Sequence, residues 1–272
     1  MKKFLLLVLV LLSVFLGYSY AKDRLTKNQG ERTVIPPKTT ILKFALVADS
    51  EDDNGLLAKA LNEAKSQNVS FVIGLGDLTS IGTVEQLNAA KQVFDESGLT
   101  YYLTAGDHDL WDSRNRGDEA LSNFRQVLGD PSHIIYKEGI QFVILDNSDI
   151  YSGIRDVEIS NFKYQISNAH RLTFVFAHKT PFHPQSAHVM GEDSSLVKDQ
   201  AKRLMSLLEE KKVDGFFCGD LPFFAQFNSP AQAVRMTTIG AVASERNFQG
   251  PRFAVVTVYS DYSWQVEDIE IR

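Results

Sequence analysis

The sequence predicts an α/β fold in which two mixed β-sheets pack together between outer helices. Six short apolar segments have the composition of buried strands, and amphipathic segments with helical spacing separate most of them. Towards the C-terminus, three further strand-like segments are joined by Gly, Ser, Asn and Asp, which indicates added antiparallel strands. Each of the six apolar segments ends on a polar residue. Because ligands bind at the carboxyl ends of parallel strands, the pattern also predicts a site at that sheet edge.

The six apolar segments are spread along the chain. In order they are residues 41–49, 71–77, 101–108, 142–146, 174–178 and 215–220. If their carboxyl ends share one edge, one cleft receives Asp49, Asp77, Asp107, His108, His178 and Asp220. A single Asp at a strand end is common in turns, but this many in register predict a site.

Five amphipathic segments predict the helices. The first spans residues 54–67, and the second begins at the capping box Thr83-Val-Glu-Gln86 and stops at Gly98. Apolar residues on one helical face predict three more, over residues 121–128, 159–169 and 197–208. The C-terminal antiparallel strands are predicted over residues 232–239, 252–259 and 263–271.

Length and composition are those of a globular protein with a core and a cleft. The 272 residues are 44% hydrophobic and 23% charged, and the net charge is −6. No basic stripe is visible, so we expect no nucleic-acid partner. A small phosphorylated substrate is compatible with this charge, because a bound metal supplies positive charge locally. The lone Cys218 is interpreted as a buried strand residue.

The N-terminus has the features of an export signal. Met1-Lys-Lys precedes an apolar run from Phe4 to Leu16, and a Ser-x-Ala cleavage pattern ends at Ala21. We predict a signal peptide over 1–21, a linker over 22–40 and one domain over 41–272. The predicted location is extracytoplasmic, periplasmic or secreted. An uncleaved N-terminal anchor is the alternative, and only then do we expect membrane association.

Five short motifs at the strand ends carry a family resemblance. They are Asp49-Ser-Glu51, Gly74-Leu-Gly-Asp77, Gly106-Asp-His-Asp109, His178-Lys-Thr-Pro-Phe182 and Gly219-Asp-Leu-Pro222. In order and spacing they resemble the blocks of the calcineurin-like metallophosphoesterase family: Asp-x-His, Gly-Asp, Gly-Asn-His-Asp/Glu, His and Gly-His-x-His. The resemblance covers roughly residues 41 to 260 and implies the calcineurin-like phosphoesterase fold. No block matches Asp146, which is therefore interpreted as structural.

The resemblance implies two metal positions and a proton donor. One position is implied for Asp49, Glu51, Asp77 and residue 222, and the other for Asp77, Asp107, His178 and Asp220. Asp77 would bridge the two metals. His108 would act at the leaving-group oxygen, and Asp109 would orient His108.

Several positions depart from the family pattern. Glu51 and Asp220 replace histidines, Asp107 replaces an asparagine, and Pro222 has no side-chain donor. Five carboxylates in one cleft repel each other without a cation. We therefore expect one or two divalent ions, with manganese, magnesium or iron preferred to zinc. His183 and His188 are interpreted as surface-loop residues, although either is placed to supply a replacement ligand.

The leading hypothesis is an exported metal-dependent hydrolase of phosphomonoesters or phosphodiesters, acting on a small phosphorylated substrate. The degenerate last block supports an alternative, a catalytically inactive member that serves as an extracytoplasmic binding or scaffold module. A third reading is an enzyme with a single hard metal. No partner protein can be deduced from the sequence.

Overall fold

A computed structural model describes residues 17–22, 37–166, 169–245 and 247–272. Residues Thr39–Arg272 form one compact unit. Residues 17–22, in the other unit, are helical, whereas most of the predicted signal peptide and linker lies outside the described residues. Within the described part of the chain, no helix is long and apolar enough to span a membrane.

The first sheet has five strands in the order β11-β10-β1-β2-β3. They are β1 (Thr40–Val47), β2 (Val72–Leu75), β3 (Tyr101–Thr104), β10 (Arg252–Tyr259) and β11 (Trp264–Glu270). β1, β2 and β3 are parallel, and the C-terminal hairpin β10–β11 extends the sheet through β10, which pairs antiparallel with β1. The carboxyl ends of β1, β2 and β3 therefore share one edge.

The second sheet has six strands in the order β4-β5-β6-β7-β9-β8. They are β4 (His133–Lys137), β5 (Ile140–Ile144), β6 (Leu172–Ala177), β7 (Gly215–Cys218), β8 (Phe224–Asn228) and β9 (Arg235–Ile239). The four central strands, from β5 to β9 in the sheet order, are parallel, and β4 and β8 are antiparallel edges.

Six helices lie between the strands in the part of the chain that the structure describes. They are α1 (Asn54–Ser66), α2 (Val84–Ser97), α3 (Trp111–Asn115), α4 (Ser122–Leu128), α5 (Asp156–Gln165) and α6 (Ser195–Glu210). A single 3-10 turn, His108–Leu110, precedes α3. The predicted capping box of α2 is present, since the Thr83 hydroxyl accepts from the Gln86 N–H and the Gln86 side chain accepts from the Thr83 N–H.

Three apolar layers confirm the predicted arrangement of two packed sheets with helices outside. Phenylalanines from both sheets fill the layer between them, with ring centroids of Phe44 and Phe142 5.3 Å apart. Helices α1, α2 and α4 cover the outer face of the first sheet, and α5 and α6 cover that of the second. Burial on both faces explains why the parallel strands are continuous apolar runs in the sequence.

Some elements differ from prediction. The edge strands β4 and β8 were not predicted, because they are half exposed and lack a continuous apolar run. The strand predicted over 232–239 as antiparallel is β9, which is parallel to β7 and antiparallel only to β8. Helix α5 ends at Gln165, since Ile166 adopts extended geometry and packs into the core as a loop residue.

Candidate metal centre

Sharp turns immediately after three parallel strands carry candidate ligands. Asp49, Asp77 and Asp220 follow β1, β2 and β7, and all three have positive φ, at 52°, 49° and 62°. Such a conformation is uncommon for residues other than glycine and recurs at functional sites. The same left-handed turn is thus used in both sheets at the shared edge.

Two glycines allow the turns after β2 and β3 to touch. Gly76 has a φ of +87°, and a Cβ there would lie 2.5 Å from the main-chain nitrogen of Gly106. A Cβ on Gly106 would lie 2.1 Å from Asp77 Oδ1. Both approaches are closer than any side chain tolerates, so the glycines of these two motifs are required by backbone contact.

The candidate ligands form two groups at the sheet edge. Asp49, Asp77 and His178 form one group, and Asp107, His178 and Asp220 form the other, with ligand atoms within 4.8 Å of one another in each. His178 is common to both groups. Asp77, implied as the bridging ligand, belongs to the first group, and its Oδ2 lies 3.4 Å from Nε2 of the shared His178.

A carbonyl group of the first sheet determines the tautomer of His178. Its Nδ1 lies 2.7 Å from the carbonyl oxygen of Leu75, and a carbonyl only accepts, so Nδ1 carries a proton. Nε2 faces the cleft, 3.4 Å from Asp77 Oδ2, 3.3 Å from Asp107 Oδ1 and 3.7 Å from Asp220 Oδ1. Burial opposes protonation of the ring, but these carboxylates, Asp77 foremost, hold the pKa of His178 above its ordinary range.

Several buried ligand atoms of the cleft have no hydrogen-bond partner among the described residues. They are Asp49 Oδ2 and Asp220 Oδ2, and His178 Nε2 has only the carboxylate contacts of 3.3–3.7 Å given above. Buried polar atoms are nearly always satisfied in folded proteins. Burial, reinforced by the charge of Asp77, raises the pKa of the Asp49 carboxyl well above its usual range although His178 lies nearby. Carboxylate oxygens and an imidazole nitrogen form a donor set that fits a divalent cation.

Lys179 is a component of the cleft that the sequence analysis missed. Its Nζ lies 3.1 Å from Asp107 Oδ1 and also contacts Asp220 Oδ1, and its side chain is only 8% exposed. Asn147 holds the main chain of Lys179 from both sides, accepting from its N–H at 2.9 Å and donating to its carbonyl at 2.7 Å. The only sequence signal was its position directly after His178.

His188 also reaches the second group. Its Nε2 lies 3.2 Å from Asp220 Oδ1, and its Nδ1 lies 2.6 Å from Glu192 Oε2. The bond to Asp220 raises the pKa of His188 to about 9. Burial alone would raise the pKa of Asp220, but His188 and Lys179 lower it. His188 was interpreted as a surface-loop residue. Its side chain is half exposed, but its ring contacts Asp220 in the cleft.

Charged neighbours also act on Asp107. Burial of its carboxyl opposes ionisation, but His178 and Lys179 together hold the pKa of Asp107 well below its usual range. The second group therefore contains carboxylates already paired with cationic side chains, whereas Asp49 in the first group is held in a carboxylate-rich, buried environment.

Glu51, a predicted ligand, has other surroundings, and His183, interpreted as a surface-loop residue, is instead buried. Glu51 belongs to neither ligand group; its main-chain N–H donates to the Asp77 carbonyl at 3.0 Å, and it lines an acidic pocket with Asp52 and Glu245. Its φ is 42°, so Glu51 shares the left-handed backbone conformation of Asp49. His183 is half of an aromatic contact with Phe227, 4.6 Å between centroids, and lies outside both groups.

Asp109 does not orient the ring of His108, contrary to the implied function. Its buried carboxylate accepts from the main-chain N–H groups of Gly106, Thr79 and Leu78 at 2.9, 3.0 and 3.3 Å, and from the Thr79 hydroxyl at 2.8 Å. Burial and the charge of Asp77 raise the pKa of Asp109 to about 6 despite these bonds. Asp109 thus links the turn after β2 to the turn after β3 through hydrogen bonds.

His108 is placed by other groups. Its main-chain N–H donates to Asp77 Oδ1 at 3.0 Å, which ties it to the first ligand group. Its ring Nδ1 lies 3.0 Å from the Ser80 carbonyl oxygen and therefore donates its proton there. The ring stacks on Trp111 with centroids 4.0 Å apart, so its orientation is restricted.

Comparisons with known proteins agree with this architecture. The calcineurin-like phosphoesterase family model matches residues 42–223. No curated protein sequence matches the chain. A dimetal phosphatase from Danio rerio superposes with a TM-score of 0.63 at 12% identity, covering 86% of this chain and 100% of the other.

Two further solved structures share the fold at low identity. A purple acid phosphatase, PPD1, from yellow lupin (Lupinus luteus) seeds has a TM-score of 0.62 at 13% identity, over 84% of this chain and 51% of that protein. GAP50, described as the anchor in the inner membrane complex of Plasmodium, has a TM-score of 0.54 at 13% identity, over 86% of this chain and 90% of that chain.

Proposed function

The chain belongs to the calcineurin-like phosphoesterase family, and from this premise we propose that it hydrolyses small phosphomonoesters or phosphodiesters outside the cytoplasm. At the level of the family it is a metal-dependent phosphoesterase. The substrate class and the location are the parts that go beyond the family.

The observation that carries the proposal is the convergence of unpartnered buried ligand atoms. Among the described residues Asp49 Oδ2 has no hydrogen-bond partner, and His178 Nε2 faces carboxylates at 3.3–3.7 Å; both atoms belong to the ligand group that contains Asp77. Two carboxylates and one imidazole suit manganese, magnesium or iron. We propose that this group holds the catalytic cation.

The residues of the cleft have distinct functions in this proposal. A divalent cation, when bound, supplies Lewis-acid stabilisation of the negative charge that develops on a phosphoryl oxygen. Asp49, Asp77 and His178 hold it, and the Leu75 carbonyl keeps Nε2 of His178 available as a ligand. The buried ammonium of Lys179 adds a fixed positive charge to the same edge.

His108 is proposed to protonate the leaving-group oxygen. Because its Nδ1 proton is donated to Ser80, the proton for the leaving group has to come from Nε2 of the doubly protonated ring. Stacking on Trp111 holds the ring in one orientation while the transfer occurs. Positioning of this kind is a large part of catalysis in phosphoryl transfer.

A second candidate function is a catalytically inactive binding or scaffold module. The observations in its favour are Lys179, whose ammonium contacts two carboxylates of the second ligand group, and Pro222, which has no side-chain donor. GAP50, which shares this fold, is described as an anchor, and this description supports a binding function for a protein of the fold.

The test is metal content measured together with turnover. We would purify the protein, add Mn²⁺, remove unbound metal, and measure bound manganese and the hydrolysis of aryl phosphate mono- and diesters. We expect bound manganese and turnover, with both lost in Asp49→Asn and Asp77→Asn. Asp146→Asn is the matched control, because Asp146 is a buried carboxyl after a strand whose partner is Ser148 and which lies outside both ligand groups. A folded protein with neither metal nor turnover would favour the binding module.

Export is tested separately. The proposal of an extracytoplasmic enzyme depends on the predicted leader over residues 1–21. N-terminal sequencing of the protein recovered from outside the cytoplasm should find a chain beginning at residue 22. Recovery of the full chain in the membrane fraction would indicate the uncleaved anchor instead, and recovery in the cytoplasm would contradict export.

A further inference from the structure

We propose that the ammonium group of Lys179 occupies the place of the second cation, so that this protein binds one divalent ion where a dimetal phosphatase binds two. The inference rests on the proposed function, because it concerns the number of cations in the same cleft. It assigns Lys179 as a resident replacement for a metal ion.

The position of Nζ is the first argument. It contacts Asp107 Oδ1 at 3.1 Å and Asp220 Oδ1 at shorter range, and these residues belong to the second ligand group. A divalent ion of the magnesium class needs oxygen ligands at about 2.0–2.1 Å. An ion that close to both oxygens would collide with the ammonium that already contacts them, and the two positive charges would repel each other.

The distribution of charge is the second argument. In the part of the chain that the structure describes, lysine reaches Asp107 and Asp220, but no lysine or arginine forms an ion pair with Asp49 or Asp77. His188 adds a further contact to Asp220. The second group is therefore paired with Lys179 and His188, whereas in the first group Asp77 contacts the shared His178 and Asp49 forms no ion pair among the described residues.

The third argument is that Lys179 is held in place. Its side chain is buried, and Asn147 fixes its main chain through both the N–H and the carbonyl. Burying an ammonium is unfavourable unless it is paired, so the contacts with Asp107 and Asp220 are the reason that it is tolerated there. The two hydrogen bonds from Asn147 therefore fix the main-chain position from which the Lys179 side chain reaches the two carboxylates.

The experiment counts cations in the purified full chain. Bound manganese is measured by elemental analysis after equilibration with excess Mn²⁺, and electron paramagnetic resonance reports whether bound ions are isolated or coupled as a pair. We expect one isolated ion in the unmodified protein. Lys179→Met should take up two, with the spectrum of a coupled pair, because ions about 3.5–4 Å apart interact.

Two variants serve as controls. Lys179→Arg keeps a positive charge and should stay at one ion. Lys65→Met removes a partly buried lysine that donates to the Ser97 carbonyl at 2.7 Å, away from both ligand groups, and should also stay at one ion. If Lys179→Met does not fold, as judged by circular dichroism, Lys179→Gln replaces it and should also take up two ions, because its shorter side chain carries no charge.

The outcomes separate this inference from the proposed function. Two ions in the unmodified protein would overturn the inference and leave the phosphoesterase proposal intact. A single ion in both the unmodified protein and folded Lys179→Met would also overturn it, because the ammonium would not be what excludes the second ion. No bound ion in any variant, with no turnover, would overturn both proposals. A pair of ions bound to the unmodified protein is sufficient by itself to overturn the inference.

Discussion

His178 and Lys179 are adjacent in the sequence, and both side chains contact the same two carboxylates. Nε2 of His178 lies 3.3 Å from Asp107 Oδ1, and Nζ of Lys179 lies 3.1 Å from the same oxygen. Nε2 of His178 makes no hydrogen bond within the described residues, whereas Nζ of Lys179 forms ion pairs with both Asp107 and Asp220. At the residue scale, one of these neighbours is suited to hold a cation and the other to replace one.

The sharpest residue-scale prediction concerns His108. His108→Ala should lower kcat by about 100- to 10,000-fold, the usual contribution of a general acid, without changing bound manganese. The main-chain N–H that donates to Asp77 is retained in this variant, so the ligand group is preserved. The measurement is steady-state hydrolysis of an aryl phosphate together with elemental analysis.

His170→Ala is the matched control for His108→Ala, because the His170 ring contacts Tyr136 and lies outside both ligand groups. It should leave kcat unchanged. Unaltered turnover in His108→Ala would remove this residue from the mechanism, and loss of manganese would show that its effect is on the ligand group.

At the scale of elements, the cleft depends on turns that are too tight for side chains. The turns after β2 and β3 touch through Gly76 and Gly106, and Asp109 ties them together with hydrogen bonds to both. Positive φ at Asp49, Asp77 and Asp220 repeats the same bend after β1, β2 and β7. The ligands are therefore positioned by short turns attached to the two sheets.

Gly106→Ala tests this dependence on the turns. The added Cβ would lie 2.1 Å from Asp77 Oδ1 and 2.2 Å from Asp77 N, so the turns have to separate. We expect a loss of about 1–3 kcal/mol in the free energy of unfolding, as for overpacking, together with weaker manganese binding. Denaturant unfolding and a manganese titration are the measurements.

Gly55→Ala is the control for this substitution. Gly55 lies in α1, and its nearest atom to an added Cβ is Asp53 Oδ1 at 3.6 Å, an ordinary contact. Alanine there should leave the free energy of unfolding unchanged or raise it by about 0.5–1 kcal/mol. Equal effects of the two substitutions would mean that the contact between the turns does not matter.

At the scale of the whole molecule, the packing of two sheets brings distant segments into one cleft. The bond between His178 and the Leu75 carbonyl joins residues 103 positions apart in the sequence, one from each sheet. A cation held by Asp49 and Asp77 from the first sheet and His178 from the second would link the two sheets. Metal binding should therefore stabilise the fold as a whole.

Manganese should accordingly raise the thermal unfolding midpoint, and a chelator should reverse the rise. At a concentration 100-fold above the dissociation constant, the stabilisation is about 2.7 kcal/mol. Since burial raises the pKa of Asp49, protons compete with the cation, and the rise should shrink as the pH falls. Differential scanning calorimetry at two pH values measures both effects.

Two variants test whether manganese bound at Asp49 causes the rise in the unfolding midpoint. Asp49→Asn should abolish the manganese-dependent rise, whereas Asp146→Asn should retain it, because Asp146 is buried but bonds to Ser148. A rise that persists in Asp49→Asn would place the stabilising ion elsewhere. A midpoint insensitive to manganese in the unmodified protein would contradict a cation that joins the sheets.

Much of the architecture follows from the sequence alone. Continuous apolar runs mark strands buried on both faces, and helical stripes between them require a layered α/β fold. Parallel strands place their carboxyl ends together, which is why Asp49, Asp77, Asp107, His178 and Asp220 could be grouped before any coordinates. The capping box at Thr83 is equally local, because its two hydrogen bonds join residues three apart.

Only the tertiary structure decided what each side chain of the cleft contacts. Lys179 lies inside a quoted motif but at no ligand position, and Asn147 and His188 lie outside the motifs. Their functions depend on burial and on contacts such as that of Lys179 with Asp220, 41 residues further along the chain. The Asp109 carboxylate bonds to the turn after β2, the His108 ring bonds to the Ser80 carbonyl, and Glu51 belongs to neither ligand group. Strand periodicity predicts the edge at which a residue lies. The direction of its side chain after a tight turn depends on which distant segments pack against it.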